Sequence, residues 1–394
     1  MLDFGKYNTN SGPDFLHGKI RIDDTILVGH IEMHLKTSDW DLHQHQFDPA
    51  YNNVVLHVVY DHDREVVDQR GQQLITLNLA GLISEDIIRK YGLLQRPGWI
   101  PCASLDPAKV PTHLWAIWKK RLNIERLQSK VDWVSENMDA TKAHWEEIMY
   151  LQLFKAMGTN VNKDAFSTLA HRMDYGVFRK NIHDETACFA LVFGMAGLLS
   201  KEFEDPYANE LKNTFHFLSR KYDLTPLNPV IWRYSKMHPH NFPDIRLAQI
   251  TSLLRQQEHF FSLLLEDISH ASIHKLLEIN SLPEYWEDHF ILGVPSTRRT
   301  KKMGKGTKDL IIINAIIPVL FMYGQANHMT KLQEQALELM SSIPSEENNI
   351  IRHWKELNVN SENAGDSQAL IELKNNYCDR QRCLQCSVGH ALLK

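Results

Sequence analysis

The hydrophobic pattern changes period once, near residue 84, and that change restricts the chain to a sheet followed by helices. Before it, apolar and polar residues alternate through Lys19 to Asp23, Ile26 to Lys36 and Gln73 to Leu79, with a β-branched run from Val54 to Tyr60. A period of two sends successive side chains to opposite faces of a strand. After it, apolar residues recur every three or four positions through Pro111 to Val134, Ala140 to Met157, Phe166 to Met173, Glu185 to Leu199, Tyr207 to Tyr222, Arg246 to Leu265, Ile273 to Ile279, Leu310 to Tyr323 and Leu332 to Met340. That is the spacing of amphipathic helices, and Pro226, Pro229, Pro239, Pro243 and Pro283 stand at their stops. The expected fold is α+β: a small mixed β-sheet domain over residues 1–110, then a long α-helical region over residues 111–394.

The chemistry concentrates in the sheet. In Gly29-His-Ile-Glu-Met-His-Leu-Lys36 the alternation aligns His30, Glu32, His34 and Lys36, while Leu27, Ile31, Met33 and Leu35 are expected to fill the other side. Imidazoles and a carboxylate on one face are the groups that bind metals and move protons. Histidine is the compositional outlier, with 21 in the chain and six of them (His30, His34, His43, His45, His57, His62) inside 33 residues. His43 and His45, with Asp48 nearby, form a His-x-His pair of the kind that ligates metals. The same pair would equally suit a loop whose imidazoles cap backbone groups or pack on Trp40. A cupin-like site would need a Glu soon after the pair and several more strands, and neither is visible. His57, inside Val54-Val-Leu-His-Val-Val-Tyr60, reads as a buried core residue, or as a group orienting Glu32 or a water if its strand neighbours Ile26 to Lys36.

Composition bounds the rest. The 394-residue chain has 43% hydrophobic residues, enough for a large core, and a net charge of −5, which argues against retention on nucleic acid by global charge. No N-terminal targeting run is evident. The longest apolar stretch, Leu310 to Tyr323, is interrupted by Asn314 and Pro318 and reads as too short to span a bilayer. A cytoplasmic protein with no membrane partner is expected. The five cysteines are not a disulfide framework, since Cys102 and Cys188 stand far apart and three crowd the last 17 residues. Cys378, Cys383, Cys386 and His390 have spacing suited to a structural Zn²⁺ or part of an Fe–S cluster, or to a reduced group finishing a helix. The segment Ser296 to Lys308 carries six cations, Arg298, Arg299, Lys301, Lys302, Lys305 and Lys308, with two glycines and no acid. Such a loop suits phosphate gripping, or is simply solvated; it lacks P-loop spacing. Trp115 to Arg121 and Trp232 to Arg246 interleave aromatics with cations as single-strand binders do, although Trp115 and Trp118 equally suit a core.

Two resemblances extend this reading. Pro13-Asp14, a strand, the turn Asp23-Asp24 and an ascending strand with Glu32-Met-His34 resemble the PD-(D/E)XK nuclease superfamily. That resemblance implies a restriction-endonuclease-like sheet, Mg²⁺ or Mn²⁺ held by Asp14 and Glu32, and a water-positioning group at His34, where the superfamily has Lys, or at Lys36. That superfamily has a helix ahead of the sheet, and this sequence starts late for it, so either the helix is missing or the start is misassigned. His34 as a third ligand would favour Mn²⁺ or Zn²⁺. Nearly the whole chain resembles an uncharacterised bacterial family on Asn8-Thr-Asn-Ser-Gly-Pro-Asp-Phe15, Gly29 to His34, Ser38-Asp-Trp40 with His43 and His45, Tyr51 to Val59, Pro239 to Arg246 and the closing cysteines; it implies no activity. The leading expectation is a metal-dependent nuclease or phosphodiesterase acting on nucleic acid. The alternatives are a non-catalytic nucleic-acid-binding or scaffold protein on a degenerate nuclease core, and a Zn²⁺ or Mn²⁺ small-molecule hydrolase using His30, His34, His43 and His45.

Overall fold

The computed structural model describes residues 1–140 and 144–394, with the side chains of 132–140 left aside. It is an α+β chain in two compact units, Met1–Leu105 with Gly389–Lys394, and Asp106–Val388.

The first unit holds five strands in sequential order: β1 (Lys6–Tyr7), β2 (Phe15–Ile22), β3 (Thr25–Lys36), β4 (Val54–Asp61) and β5 (Thr76–Asn78). β1, β2 and β3 pair antiparallel, whereas β4 lies parallel to both β3 and β5, so the sheet is mixed. Asp23, at φ 49°, and Asp24 close the β2–β3 hairpin, where a short polar side chain tolerates the left-handed region. A parallel neighbour cannot follow through a tight turn and needs a crossover of about a dozen residues or more. Here the crossover carries a short helix Asp39–Leu42 and 3-10 turns at His45–Phe47 and Pro49–Tyr51.

That crossover covers the polar face of β3 and leaves the far end of the apolar face open. Met33 and Leu35, expected in the core, are 47% and 76% exposed, while Glu32 is only 6% exposed. Trp40 and Tyr51 of the crossover pack with Val54, Val66 and Leu74 on the side that carries Glu32 and His57. The opposite face is sealed only at its centre, by Ile20, Ile31, Leu56 and Val58. The alternation over Gln73 to Leu79 yields only the three residues of β5, because Val67 and Gln73 instead form an isolated bridge.

The β3–β4 pairing shifts register between His30 and Ile31, and Gly29 sits at that irregularity. A Cβ there would run into the Asn53 carbonyl oxygen and the Val55 side chain. Gly29→Ala is therefore expected to destabilise the unit by about 1–3 kcal/mol, seen as a lower denaturant midpoint with an unchanged m value.

The second unit is helical. Thr112–Ala140, Trp145–Met157, Thr159–Arg172, Glu185–Met195, Pro206–Tyr222 and Thr330–Ser342 occupy stretches with three- and four-residue spacing. The expected helix over 140–157 includes residues 141–143, which lie outside the described residues. The run Arg246 to Leu265 is broken into Pro243–Gln256 and Phe260–Glu266. Tyr175–Lys180, Asn349–Glu356 and Ala364–Leu373 were not foreseen. The stretch read as too short to span a bilayer belongs to a longer helix, Lys305–Ala326, with a π-helical turn at Ile312–Ile316. Its 22 residues are long and apolar enough to cross a membrane by length and composition, and 67% of the apolar window is buried in the fold. Trp115, Trp118 and Trp232 are buried, and the Arg246 guanidinium is bonded to Asn241, Gln249 and Thr307. Within the aromatic–cation stretches these residues are therefore interior, while Lys120, Arg121 and Arg233 stay exposed.

Candidate metal centre

Register builds the site. In the parallel pairing Glu32 lies opposite His57 and Met33 opposite Val58, so Glu32, His34 and His57 share one face. The crossover then brings His43 and His45 over that face. Between them Gln44 adopts a left-handed conformation, φ 62°, which folds the chain back so that both imidazoles converge on His34. Ligand atoms of His34, His43 and His45 all lie within 4.8 Å of one another.

The three imidazoles lie close enough to share an ion, with the Glu32 carboxylate beside two of them. His34 Nε2 is 3.1 Å from His43 Nδ1 and 3.5 Å from Glu32 Oε1, and His45 Nε2 is 3.4 Å from the same carboxylate oxygen. For metal–nitrogen bonds of about 2.0–2.1 Å, ligand atoms sit about 3.3 Å apart in a tetrahedron and about 3.0 Å apart in an octahedron. The His45 Nε2 atom is buried yet makes no hydrogen bond, despite its closeness to Glu32. A buried polar atom left without a partner is costly in a folded protein; a cation bound between His45 and Glu32 would satisfy both.

The surroundings favour the neutral form of His34, His45 and His57 and hold the rings in place. Burial, then His34 and His43, pushes His45 down to about 4; burial, then His34 and His45, does the same to His57, also to about 4. His34 is lowered by burial and by His43. Neutral imidazole is the ligating form. Tyr51 stacks on His45 with ring centroids 3.8 Å apart, and Trp40, donating its indole N–H to the Val67 carbonyl, backs His45 and His57.

Glu32 is raised to about 7, first by burial and then by the nearby Asp14 carboxylate, against the Asp14 backbone N–H that donates to its Oε2 at 3.1 Å. The Asp14 Oδ2 in turn accepts the Met33 N–H at 2.9 Å. The two acids thus approach each other across the β2–β3 hairpin, Glu32 held by the Asp14 backbone N–H and Asp14 by that of Met33, while Asp14 is not grouped with the ligand atoms of the cluster.

His57 reaches further than a core residue. It is fully buried, and its Nε2 is 2.8 Å from His34 Nδ1, so it can select the His34 tautomer that presents the Nε2 lone pair. His57→Phe is expected to weaken metal binding about 10–100-fold while removing no ligand, a loss measurable by competitive chelator titration.

Other expected residues fall elsewhere. His30 pairs with His17, whose N–H donates to its Nδ1 at 3.4 Å, and does not join the cluster. Lys36 is exposed, and its backbone N–H is tied to Asp39. Cys378, Cys383 and Cys386 do not bring ligand atoms together as a metal-binding group among the described residues, and burial keeps the Cys383 thiol above its usual range. His390 lies on the closing helix Ser387–Leu393, in the segment grouped with the first unit. Within the cationic segment, Arg298 is paired with Glu284 and Glu287, Lys308 with Glu278, and Lys301 is buried with its ammonium on the Glu287 carbonyl. Arg299, Lys302 and Lys305 are exposed. The segment is thus partly neutralised and anchored, because acids outside it in sequence fold back against it. Tyr51 was missed as part of the site; its signal was an aromatic residue at the end of the histidine-rich crossover.

Fold and site together define an α+β protein whose mixed sheet carries a histidine–carboxylate cluster under a short crossover. The profile of the family described as Protein of unknown function (DUF2851) matches residues 1–349, and the chain belongs to that family. No curated protein and no solved structure matches the chain.

Proposed function

We propose that Glu32, His34, His43 and His45 bind a divalent transition ion and that the N-terminal unit is a metal-dependent hydrolase of phosphodiesters, with nucleic acid as the substrate class. The observation that carries this reading is the unbonded His45 Nε2 lying 3.4 Å from Glu32 Oε1. Three imidazoles favour Zn²⁺ or Mn²⁺ over Mg²⁺. The ion would supply Lewis acidity and a bound water of lowered pKa. The Met33 N–H aims the Asp14 carboxylate beside the cluster, where it can take the proton of the attacking water. His43, exposed at the rim, marks the side open to substrate. Phosphodiester chemistry is supported by the Pro13-Asp14 and Glu32-x-His34 pattern.

The test strips the full chain with chelator and reloads it with Zn²⁺, Mn²⁺ or Mg²⁺. Cleavage of single- or double-stranded DNA or RNA by the Zn²⁺ or Mn²⁺ form, lost in Asp14→Asn and His45→Ala with circular dichroism unchanged, is the expected result. Polynucleotide that binds and stays intact with every ion would overturn catalysis in favour of a scaffold. Hydrolysis confined to small esters would overturn the nucleic-acid assignment.

A further inference from the structure

The helical unit carries a second histidine–carboxylate cluster, remote in sequence from the sheet. His270 and His274 lie four residues apart on the helix His270–Leu276, so both rings project from one face. Asp309 comes from a different helix, Lys305–Ile311. Its Oδ1 lies 2.9 Å from His270 Nε2 and 2.7 Å from His274 Nε2. The three side chains are 14–21% exposed, sheltered yet open on one side to water. Along the Asp309 helix the π-helical turn Ile312–Ile316 follows within a turn, a distortion frequent beside functional groups.

We propose that His270, His274 and Asp309 form a binding site for a divalent first-row transition ion, held by three protein ligands with the remaining positions left to water or an exogenous ligand. Two imidazoles and one carboxylate on a single side of an ion is the arrangement that leaves an open coordination face. Adjacent ligands on an octahedral ion with bonds of about 2.1 Å are about 3.0 Å apart, so separations of 2.7 and 2.9 Å need widen only slightly to admit the ion. Each imidazole Nε2 would exchange its contact with Asp309 for the metal, and the proton would pass to Nδ1. The geometry differs from the sheet site in kind: one carboxylate oxygen is shared by two rings, where the sheet site brings three imidazoles together. The assignment does not depend on the hydrolase reading, since it involves no residue of the sheet.

The test uses the full chain carrying His43→Ala and His45→Ala, which disables the sheet site, with Mn²⁺ alone as probe. One equivalent of Mn²⁺ is expected to bind and to enhance water-proton relaxation, because water occupies the open positions. Asp309→Asn, which keeps an oxygen for both N–H donors while removing the charge, is expected to weaken that binding by at least about 100-fold, more than the loss of a second-sphere partner. His274→Gln provides the same readout should the Asn variant fail to fold. Absence of Mn²⁺ binding in the sheet-disabled protein, or unchanged affinity in both variants, would show that the cluster is only an ionic clasp between two helices.

Discussion

Replacing His34 with alanine should abolish metal binding at the sheet and all hydrolysis that depends on it, the largest effect expected of any single change. His34 Nε2 contacts both His43 Nδ1 and Glu32 Oε1, so its removal takes out the donor that lies between them. Loss of a ligand exceeds the about 10–100-fold penalty of losing an outer partner. The variant should also lose stability without metal. His57 Nδ1 already lacks a partner, and without His34 the Nε2 of this buried ring loses its bond as well. A buried polar group left unsatisfied costs about 1–3 kcal/mol. His43→Ala separates the two effects: His43 is exposed, so metal should be lost while the metal-free denaturation midpoint barely moves. Equal destabilisation in both variants would contradict this account, as would retention of a full metal equivalent in His34→Ala.

The second large effect concerns Glu32 and runs in opposite directions for stability and binding. In the metal-free protein the folded-state pKa of Glu32 is raised from 4.5 to about 7. The folded state then holds a proton that the unfolded chain has released, so stability falls as pH rises from about 4.5 through about 7. With each pKa unit equivalent to about 1.4 kcal/mol, the loss is roughly 3 kcal/mol. His45 and His57 act with the opposite sign. Their folded pKa values of about 4 lie below the usual 6.5, so their contribution is present above pH 6.5 and disappears as pH falls toward 4. Metal-free wild type should therefore be most stable near pH 6.5 and weaken toward pH 8. Glu32→Gln should rise to a plateau instead, ending roughly 3 kcal/mol above wild type at pH 8, while losing metal affinity. Thermal denaturation of chelator-treated protein across pH 4–8 measures both curves. A wild-type curve flat above pH 6.5 would remove the case for a buried, strained carboxylate. Added Zn²⁺ should reverse the wild-type decline, because the ion favours ionised Glu32.

The β-then-α order, the β2–β3 hairpin and most long helices could be read from periodicity, because the period of a pattern reports local geometry. The pairing of Asp14 with Glu32 was readable too, since an antiparallel hairpin fixes which residues oppose each other. His30 and Lys36 share the strand face but not the grouped ligand atoms, because alternation states which residues share a face but not how far along the strand the covering segment reaches. Among the described residues the closing cysteines are not grouped as metal ligands despite their spacing, and the cations at 296–308 meet acids that no local pattern could associate with them. The split of Arg246 to Leu265 into two helices shows the same limit, as apolar spacing continues across the break.

By itself the amino-acid order determined the β-then-α order, most of the long helices, and the presence on one strand of a carboxylate and imidazoles suited to metal chemistry. Tertiary structure alone decided that the polar face of β3 turns inward, that His43 and His45 descend onto His34, and that His270 and His274 meet Asp309. The physical reason is that alternation distinguishes two faces without saying which one is covered. That choice belongs to a parallel crossover and to helix packing, whose contacts join residues far apart in the chain.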